Sequence, residues 1–499
     1  MKSPTRRDFL KTATLAAATT VWSARSWAQV AGANADVRVA VVGLNGRGRH
    51  HLTSLRAVAG VRIVAICDLD PAVLERTAAG LAQDGLTPVK YTDVRALLDS
   101  PDIDAITIAT PNHWHALMGI WACQAGKDVF VEKPVSHTLW EGRQLVAAAT
   151  KYNRVVQAGT QMRSGAGLHE AVAWVRAGHL GPITASRGFC YKRRKSIGRT
   201  TGPQAVPAGL NYDLWLGPAP VEAPRRGRFH YDWHWFNAYG NGDIGNQGIH
   251  QMDVARLFLG EPGLPRHTLS IGGRLGYVDD GETPNTQVVV HDFPTAPLIF
   301  EVRGLPAKQD PDEGKPGAVG AEAAGALAAS MDEYRGVRIG NVIDCEGGSI
   351  VVPEYFAAAA YDREGKRLRE FRGEDRLMQN FIDVVRSRKT AELYGQIEEA
   401  HLSSALGHLG GISHALGRAA PEGEIRESLE GDAALAEAYG RMTEHVAANA
   451  VDLGRTPVVL GALLTVDAAT ERCIGEGAAV ANALLKRTDR APYIVPALA

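Results

Sequence analysis

Residues 37–48 read VRVAVVGLNGRG, and the interpretation of the whole chain turns on them. The run through Leu44 is almost continuously apolar, as a strand buried on both faces of a parallel sheet must be, and a helical segment near 48–59 follows it. Between the two lies GLNGRG, a glycine-rich strand-to-helix turn. Backbone N–H groups and the following helix N-terminus can there receive a pyrophosphate, which needs an approach free of side chains. Asn45 stands where the dinucleotide fingerprint has its second glycine; asparagine tolerates a left-handed backbone, and Gly46 beside it can compensate. The second strand, VRIVAICD (61–68), ends in Asp68, twenty positions beyond Gly48. A carboxylate at that distance accepts from the ribose 2′-hydroxyl of NAD and repels the 2′-phosphate of NADP. Gly43, Asn45, Gly46, Arg47, Gly48 and Asp68 are therefore the expected contacts to NAD.

The alternation continues. A helix from Pro71 to about Ala82 is followed by a short one over Asp93 to Leu98, the strand DAITIAT (104–110) and a helix from about His115 to Ala125. The strand KDVFVEK (127–133) and the helix TLWEGRQLVAAATKY close the series. Apolar strands alternating with amphipathic helices predict an α/β Rossmann domain, a parallel sheet covered on both faces, over residues 36–153.

The chain has 499 residues, enough for two or three domains, and 54 Lys and Arg against 55 Asp and Glu. This balance carries no basic stripe for nucleic acid, and no later apolar run suggests a membrane span. Five scattered cysteines, Cys67, Cys123, Cys190, Cys345 and Cys473, have no CxxC spacing, so neither a disulfide framework nor a metal site is indicated.

The beginning reads differently. TRRDFLK (5–11) leads through TATLAAATTVW to SARSWAQ, with Lys2, Arg6 and Arg7 as a charged region, Leu10 to Trp22 mildly apolar, and Ser26-Trp27-Ala28 small before a cut. The apolar run falls short of the ~20 residues that span a bilayer. Paired arginines ahead of Asp8, Phe9 and Leu10 match a twin-arginine signal, which carries folded cargo. Residues 1–28 are expected to be a signal peptide read by the twin-arginine export machinery, with a periplasmic destination.

Two further loops, ATPNHWHA (109–116) and VFVEKP (129–134), fall at the carboxyl ends of parallel strands, where open α/β sheets bind ligands. With GLNGRG and the later GNGDIGNQGIHQMD (240–253), they make the chain resemble the glucose-fructose oxidoreductase, inositol dehydrogenase and MocA (Gfo/Idh/MocA) family over nearly everything after the signal. The resemblance implies that Thr110, Pro111, Asn112 and His115 border the nicotinamide half of the cofactor and that Glu132 helps hold its ribose. Lys133 corresponds to the family's active-site lysine, between nicotinamide and substrate. An ammonium there can hydrogen-bond an alcohol and favour its deprotonation as hydride leaves. His113 and His115 lack the further ligands a metal needs.

A second domain, residues 154–418, follows. Gln161 and Arg163 lie in the segment that family members use to reach cofactor and substrate. The resemblance implies an α+β domain with a large, mostly antiparallel open sheet, its inner face toward the substrate and its outer face used in oligomer contacts. Between the strands lies an aromatic region with Trp215, Phe229, Tyr231, Trp233, Trp235, Phe236 and Tyr239; Trp233 and Trp235 are candidates to present flat faces to a sugar ring. His230 and His234 have i, i+4 spacing but no third ligand. In the family the GNGDIGNQGIHQMD segment carries an Asp and, four residues later, a His. His250 keeps the imidazole, suited by its near-neutral pKa to take the alcohol proton. Asn246 replaces the carboxylate, and an amide can orient a hydroxyl but cannot relay a proton.

Residues 305–330 read as an insertion loop, His401 and His408 as packing residues on a helix, and 419–499 as a helical extension with an apolar tail wrapped on the domains. The expectation is an exported NAD-dependent oxidoreductase acting on a carbinol of a sugar, polyol or glycoside, as a homo-oligomer. A redox-neutral hydrolase or lyase using transient oxidation is the first alternative, and a non-catalytic binding or regulatory protein of the same fold the second.

Overall fold

The computed structural model describes residues 36–309 and 330–499. The signal segment 1–28, and residues 310–329 of the insertion at 305–330, lie outside these residues.

The first sheet is built from β1 (Val37–Val42), β2 (Val61–Cys67), β3 (Val89–Tyr91), β4 (Ala105–Ile108), β5 (Asp128–Val131) and β6 (Val156–Ala158). The strands pair in the order β3-β2-β1-β4-β5-β6, every pair parallel. This is the dinucleotide-binding doubly wound order, with its switch point between β1 and β4. Apolar side chains bury both faces. One packs on the helices Asn112–Gln124 and Leu139–Lys151, the other on Arg47–Arg56 and Pro71–Gln83.

The first domain does not stop at residue 153. β6 is its sixth strand, so the parallel sheet runs to Ala158, beyond the expected boundary. It is also completed from far along the chain. The helix Leu377–Ser387 places Leu377, Phe381, Ile382 and Val384 in the same core cluster as Val39, Leu55 and Phe130. Ala158 N donates to Gly395 O at 2.8 Å, and Gln157 Nε2 to Leu377 O at 2.7 Å.

The second sheet contains β7 (Ile183–Tyr191), β8 (His267–Gly273), β9 (Thr286–Asp292), β10 (Leu298–Arg303), β11 (Ile339–Cys345), β12 (Gly348–Glu354), β13 (Ala357–Asp362) and β14 (Arg367–Arg372). Its pairs are antiparallel except β7 with β10. The inner face carries the helix Gly248–Leu259, which lies so close to β7 that a Cβ on Gly188 would meet the Gln251 Cβ at 3.0 Å. The helix Ile397–Ala415 joins the halves: Leu402 and Leu409 share a cluster with Leu139 of the first domain and with Leu464, which opens a short strand (Leu464–Asp467) paired with β8 of the large sheet. His401 and His408 are buried on it, facing Glu471 and the Ser136 hydroxyl respectively.

The segment 419–499 departs from the helical expectation. Besides the helix Ala433–Ala448 it supplies β16 (Val458–Leu460), which extends the large sheet beside β8, with β15 (Arg418–Ala420) outside it. Strands of three residues leave no readable periodicity in a sequence, so only the helices were legible. The helix Ala433–Ala448 lies on the outer face, packing Leu435, Tyr439 and Met442 against Ile271, Val288 and Ile299, so the chain itself covers part of the face expected to meet a partner. The tail returns to the first domain: Tyr493 packs edge-on to Trp114, and Arg487 pairs with the buried Glu141 at 2.9 Å.

Candidate active site

The carboxyl ends of β1, β2, β4, β5 and β6 open on a cavity of about 720 Å³, closed from the other side by residues of the second domain. The turn after β1 is tight. Gly43 has φ 82°, and a Cβ there would lie 2.6 Å from the Ala109 carbonyl oxygen. The positive φ that replaces the missing second glycine falls on Gly46 (φ 42°), and Asn45 keeps an ordinary backbone. Gly48 does not line the cavity; a Cβ on it would fall 1.8 Å from the Gly43 carbonyl oxygen, so its role is to let the helix sit against the strand. The helix Arg47–Arg56 begins with no side chain capping its first-turn N–H groups, and the Thr110 hydroxyl oxygen is buried without a partner. The helix start without a side-chain cap, the Thr110 hydroxyl, the open glycine turn and the acid after β2 fit a dinucleotide. Asp68 accepts from Leu44 N at 2.8 Å and Asp70 N at 3.0 Å; burial raises its pKa against the pull of these amides.

Glu132 and Lys133 follow β5. Glu132 is buried, and its Oε1 accepts from Arg47 Nε at 2.7 Å and lies 3.0 Å from His51 Nε2. Burial alone would raise this carboxyl, but Arg47, His51 and Lys133 hold it well below the usual range. Gln161 reaches the same oxygen at 3.4 Å. Lys133 Nζ donates to the backbone carbonyl of Asn246, across the domain boundary. Burial, with Arg47, Lys192 and Arg194 adding like charge against Glu132, brings its pKa to about 8.

Asn246 and His250 come from the second domain, Asn246 at the end of a short turn of helix and His250 in the first turn of Gly248–Leu259. His250 is buried, its ring 5.2 Å from that of Tyr355, and its Nδ1 has no partner. Burial first, then Lys133 and Arg47, depress its pKa well below that of a free imidazole. Asn246 lines the cavity, and it is its backbone oxygen that holds Lys133.

Pro111, Asn112 and His115 also line the cavity; His115 is wedged between the carbonyls of Pro134 (2.6 Å) and Thr110 (2.8 Å). Trp233 is present as expected, stacked on His234 with centroids 3.7 Å apart. Two expected substrate contacts are elsewhere. Arg163 is 6% exposed and spends its guanidinium on Asp253 (2.8 Å) and Glu399 (3.3 Å), away from the cavity. Trp235 is buried beneath Arg194, with its carbonyl accepting from Glu282 N. His113 also packs internally, between the carbonyls of Trp215 and Tyr239, and burial lowers its pKa to about 3. His230 and His234 part company, the first pairing with Asp70 at 2.9 Å and the second contacting the Tyr231 carbonyl at 2.5 Å. Among the described residues no group of three or more potential metal ligands gathers.

The reading of the sequence missed Lys192, Arg194, Gln247 and Tyr355, all of which line the cavity. The signal for the first two was present: in FCYKRRK, Cys190, Lys192 and Arg194 alternate onto one side of an extended chain.

Comparison with known proteins agrees with this architecture. A glycosyl hydrolase family 109 protein of Shewanella pealeana is 39% identical over 120 residues, 23% of this chain and 26% of that protein. The corresponding protein of Shewanella woodyi matches to the same extent, so the chain spans about a quarter of the length of the curated relatives it matches. A Thermotoga maritima oxidoreductase superposes with a TM-score of 0.52 at 15% identity, over 75% of this chain and 96% of its own. The WlbA dehydrogenase of Bordetella pertussis, solved with NADH and UDP-GlcNAcA, gives 0.51 at 18% identity, over 74% and 94%. At such identities these structures show a shared fold. The sequence match is more specific: residues 37–160 fit the NAD-binding Rossmann fold of the Gfo/Idh/MocA oxidoreductase family, and residues 175–271 fit that family's C-terminal alpha/beta domain.

Proposed function

We propose that this chain is an exported oxidoreductase that transfers hydride between a carbinol of a sugar, polyol or glycoside and tightly held NAD. One observation carries the reading: Lys133 and His250, from different domains, line the same cavity as the Gly43–Gly46 turn. NAD, when bound, supplies the hydride acceptor. Glu132, fixed by Arg47 and His51, orients the ribose beside it, and Asp68 accepts from the distal ribose. Lys133 hydrogen-bonds the substrate oxygen, stabilising the negative charge that grows there as the proton departs. His250, neutral at physiological pH, takes that proton on its imidazole. Asn246 positions Lys133 through its backbone carbonyl and presents an amide that orients a hydroxyl without relaying a proton.

The mature protein is expected to leave purification with dinucleotide bound and to form reduced nicotinamide with one of a panel of sugars, followed by absorbance. An empty protein with only micromolar affinity overturns the tight-cofactor part of the reading.

The roles of the two bases also predict a pH profile. With Lys133 acting as a cation, kcat/KM stays level through neutrality and falls above about 8, as the ammonium is lost. A rate that rises through that point instead assigns proton acceptance to Lys133.

The 39% identity over 120 residues to a glycosyl hydrolase family 109 protein supports a second reading, redox-neutral cleavage. There one hydride would pass to bound NAD and later return while Lys133 and His250 moved protons: the transient ketone acidifies the neighbouring C–H, that proton and the aglycone leave, and water adds in the aglycone's place before the carbonyl is reduced again. Release of an aryl aglycone without net reduced nicotinamide selects this reading.

A further inference from the structure

β7 ends at Tyr191, yet its extended pairing continues: Lys192 N donates to Arg303 O at 3.0 Å, and Arg194 N to Gly304 O at 2.9 Å. Alternation sends Lys192 and Arg194 to the cavity and Arg193 to the opposite side, where it donates to the Tyr277 hydroxyl. The two cavity cations differ in their partners. Arg194 is neutralised by Asp243, which takes Nε at 2.8 Å and NH2 at 2.7 Å. With both oxygens engaged in that fork, Asp243 has its charge matched. Lys192 has no such partner. Its ammonium makes one hydrogen bond, to the neutral Gln247 Oε1 at 3.2 Å, and among the described residues no carboxylate lies within ion-pair distance.

Of the acids that line the cavity, Asp68 follows β2, Glu132 is engaged with Arg47 and His51, and Asp375 accepts from the Ser164 hydroxyl at 3.2 Å and Leu377 N at 3.0 Å. The substrate half of the cavity therefore holds two ammonium groups, Lys133 and Lys192, without a paired carboxylate. Removing an ammonium from bulk water without a counter-ion is unfavourable, and a ligand anion relieves that cost. Gln247 fixes the place: it contacts Lys192 through Oε1 and donates Nε2 to the Tyr355 hydroxyl at 3.0 Å, and the Tyr355 ring lies against His250. An anion on Lys192 thus sits beside the position where the carbinol meets His250.

We infer that the substrate is a sugar bearing one negative charge, a carboxylate or a sulfate ester, which pairs with Lys192; this rests on the oxidoreductase reading above. The test is equilibrium binding of glucuronate, glucose 6-sulfate and glucose to the NAD-loaded full chain, for wild type, K192Q and K192R. A charge-assisted pair in a partly dry cavity favours at least one of the acids over glucose about tenfold. K192Q lowers that acid-to-neutral ratio about tenfold, and K192R restores most of it. Whether glucuronate or the sulfate is preferred tells the two anions apart. Glucose bound as tightly as both acids, a ratio unmoved in K192Q, or no binding of any of the three overturns the inference. Turnover distinguishes its failure from that of the parent reading. Reduced nicotinamide formed from glucose without charge selectivity leaves the oxidoreductase and removes the anion site. Acid-selective binding lost in K192Q, with no hydride transfer to any sugar, does the reverse.

Discussion

Lys133→Ala lowers kcat by about 10²–10³ while dinucleotide remains bound, because it deletes the one ammonium placed to stabilise the developing alkoxide. The cofactor keeps its other holds: the Gly43–Gly46 turn, Asp68, and Glu132 with its own partners Arg47 and His51. Separating the two effects requires measuring bound dinucleotide and turnover on the same preparation. Loss of both together would show that Lys133 serves the cofactor more than the chemistry, and turnover retained at the wild-type level would sink the assignment of this cavity as the reaction site. Lys133→Arg is the informative companion. It keeps a cation but replaces a compact point charge with a planar fork that stays protonated. If the cationic role holds, its residual rate no longer falls above about 8, where Lys133 loses its proton.

Arg163→Met destabilises the protein by about 3–5 kcal/mol, read as a lowered unfolding midpoint in denaturant. The cause is the charge left behind. Asp253, held by Arg163 on both oxygens and by Ser403 Oγ at 2.7 Å, is buried with no route to water once the guanidinium is gone. The surrounding network adds Arg256, which donates to Glu399 at 2.5 Å. Together these residues join the turn Gln161–Ser164 to the helices Gly248–Leu259 and Ile397–Ala415. The double variant Arg163→Met, Asp253→Leu is expected to recover much of the loss, since no charge is then stranded. A single variant as stable as wild type would contradict the structural role.

The contrast between these two residues explains how much was legible in the sequence. Lys133 could be placed because it is local: it follows a buried strand directly, and the strand order fixes which ends face the ligand. Asp68 and Gly43 are local in the same way. Arg163 was expected at the substrate because its segment reaches there in the family the chain resembles, but its partner lies ninety positions away and nothing near it in the chain announces the pair. Trp235 failed for a related reason. An aromatic cluster shows that rings will gather, and only the packing decides that Trp233 meets the cavity while Trp235 is buried under Arg194. Lys192 was overlooked although its alternation with Cys190 and Arg194 was in plain view.

The helix Leu377–Ser387 has a bearing on how the molecule comes into being. A ribosome that has made only residues 36–160 has produced every strand of the nucleotide-binding sheet, yet the face around Leu55 and Phe130 still lacks Phe381 and Ile382. More than two hundred residues of the second domain must emerge before that cover is made. The half that binds the dinucleotide is thus begun first and sealed late, so NAD can be captured in its final setting only after the chain has been made through Ser387. On the proposed export route, a filled cavity would then certify synthesis through that point as well as folding, and a product truncated before it would fail both requirements at once.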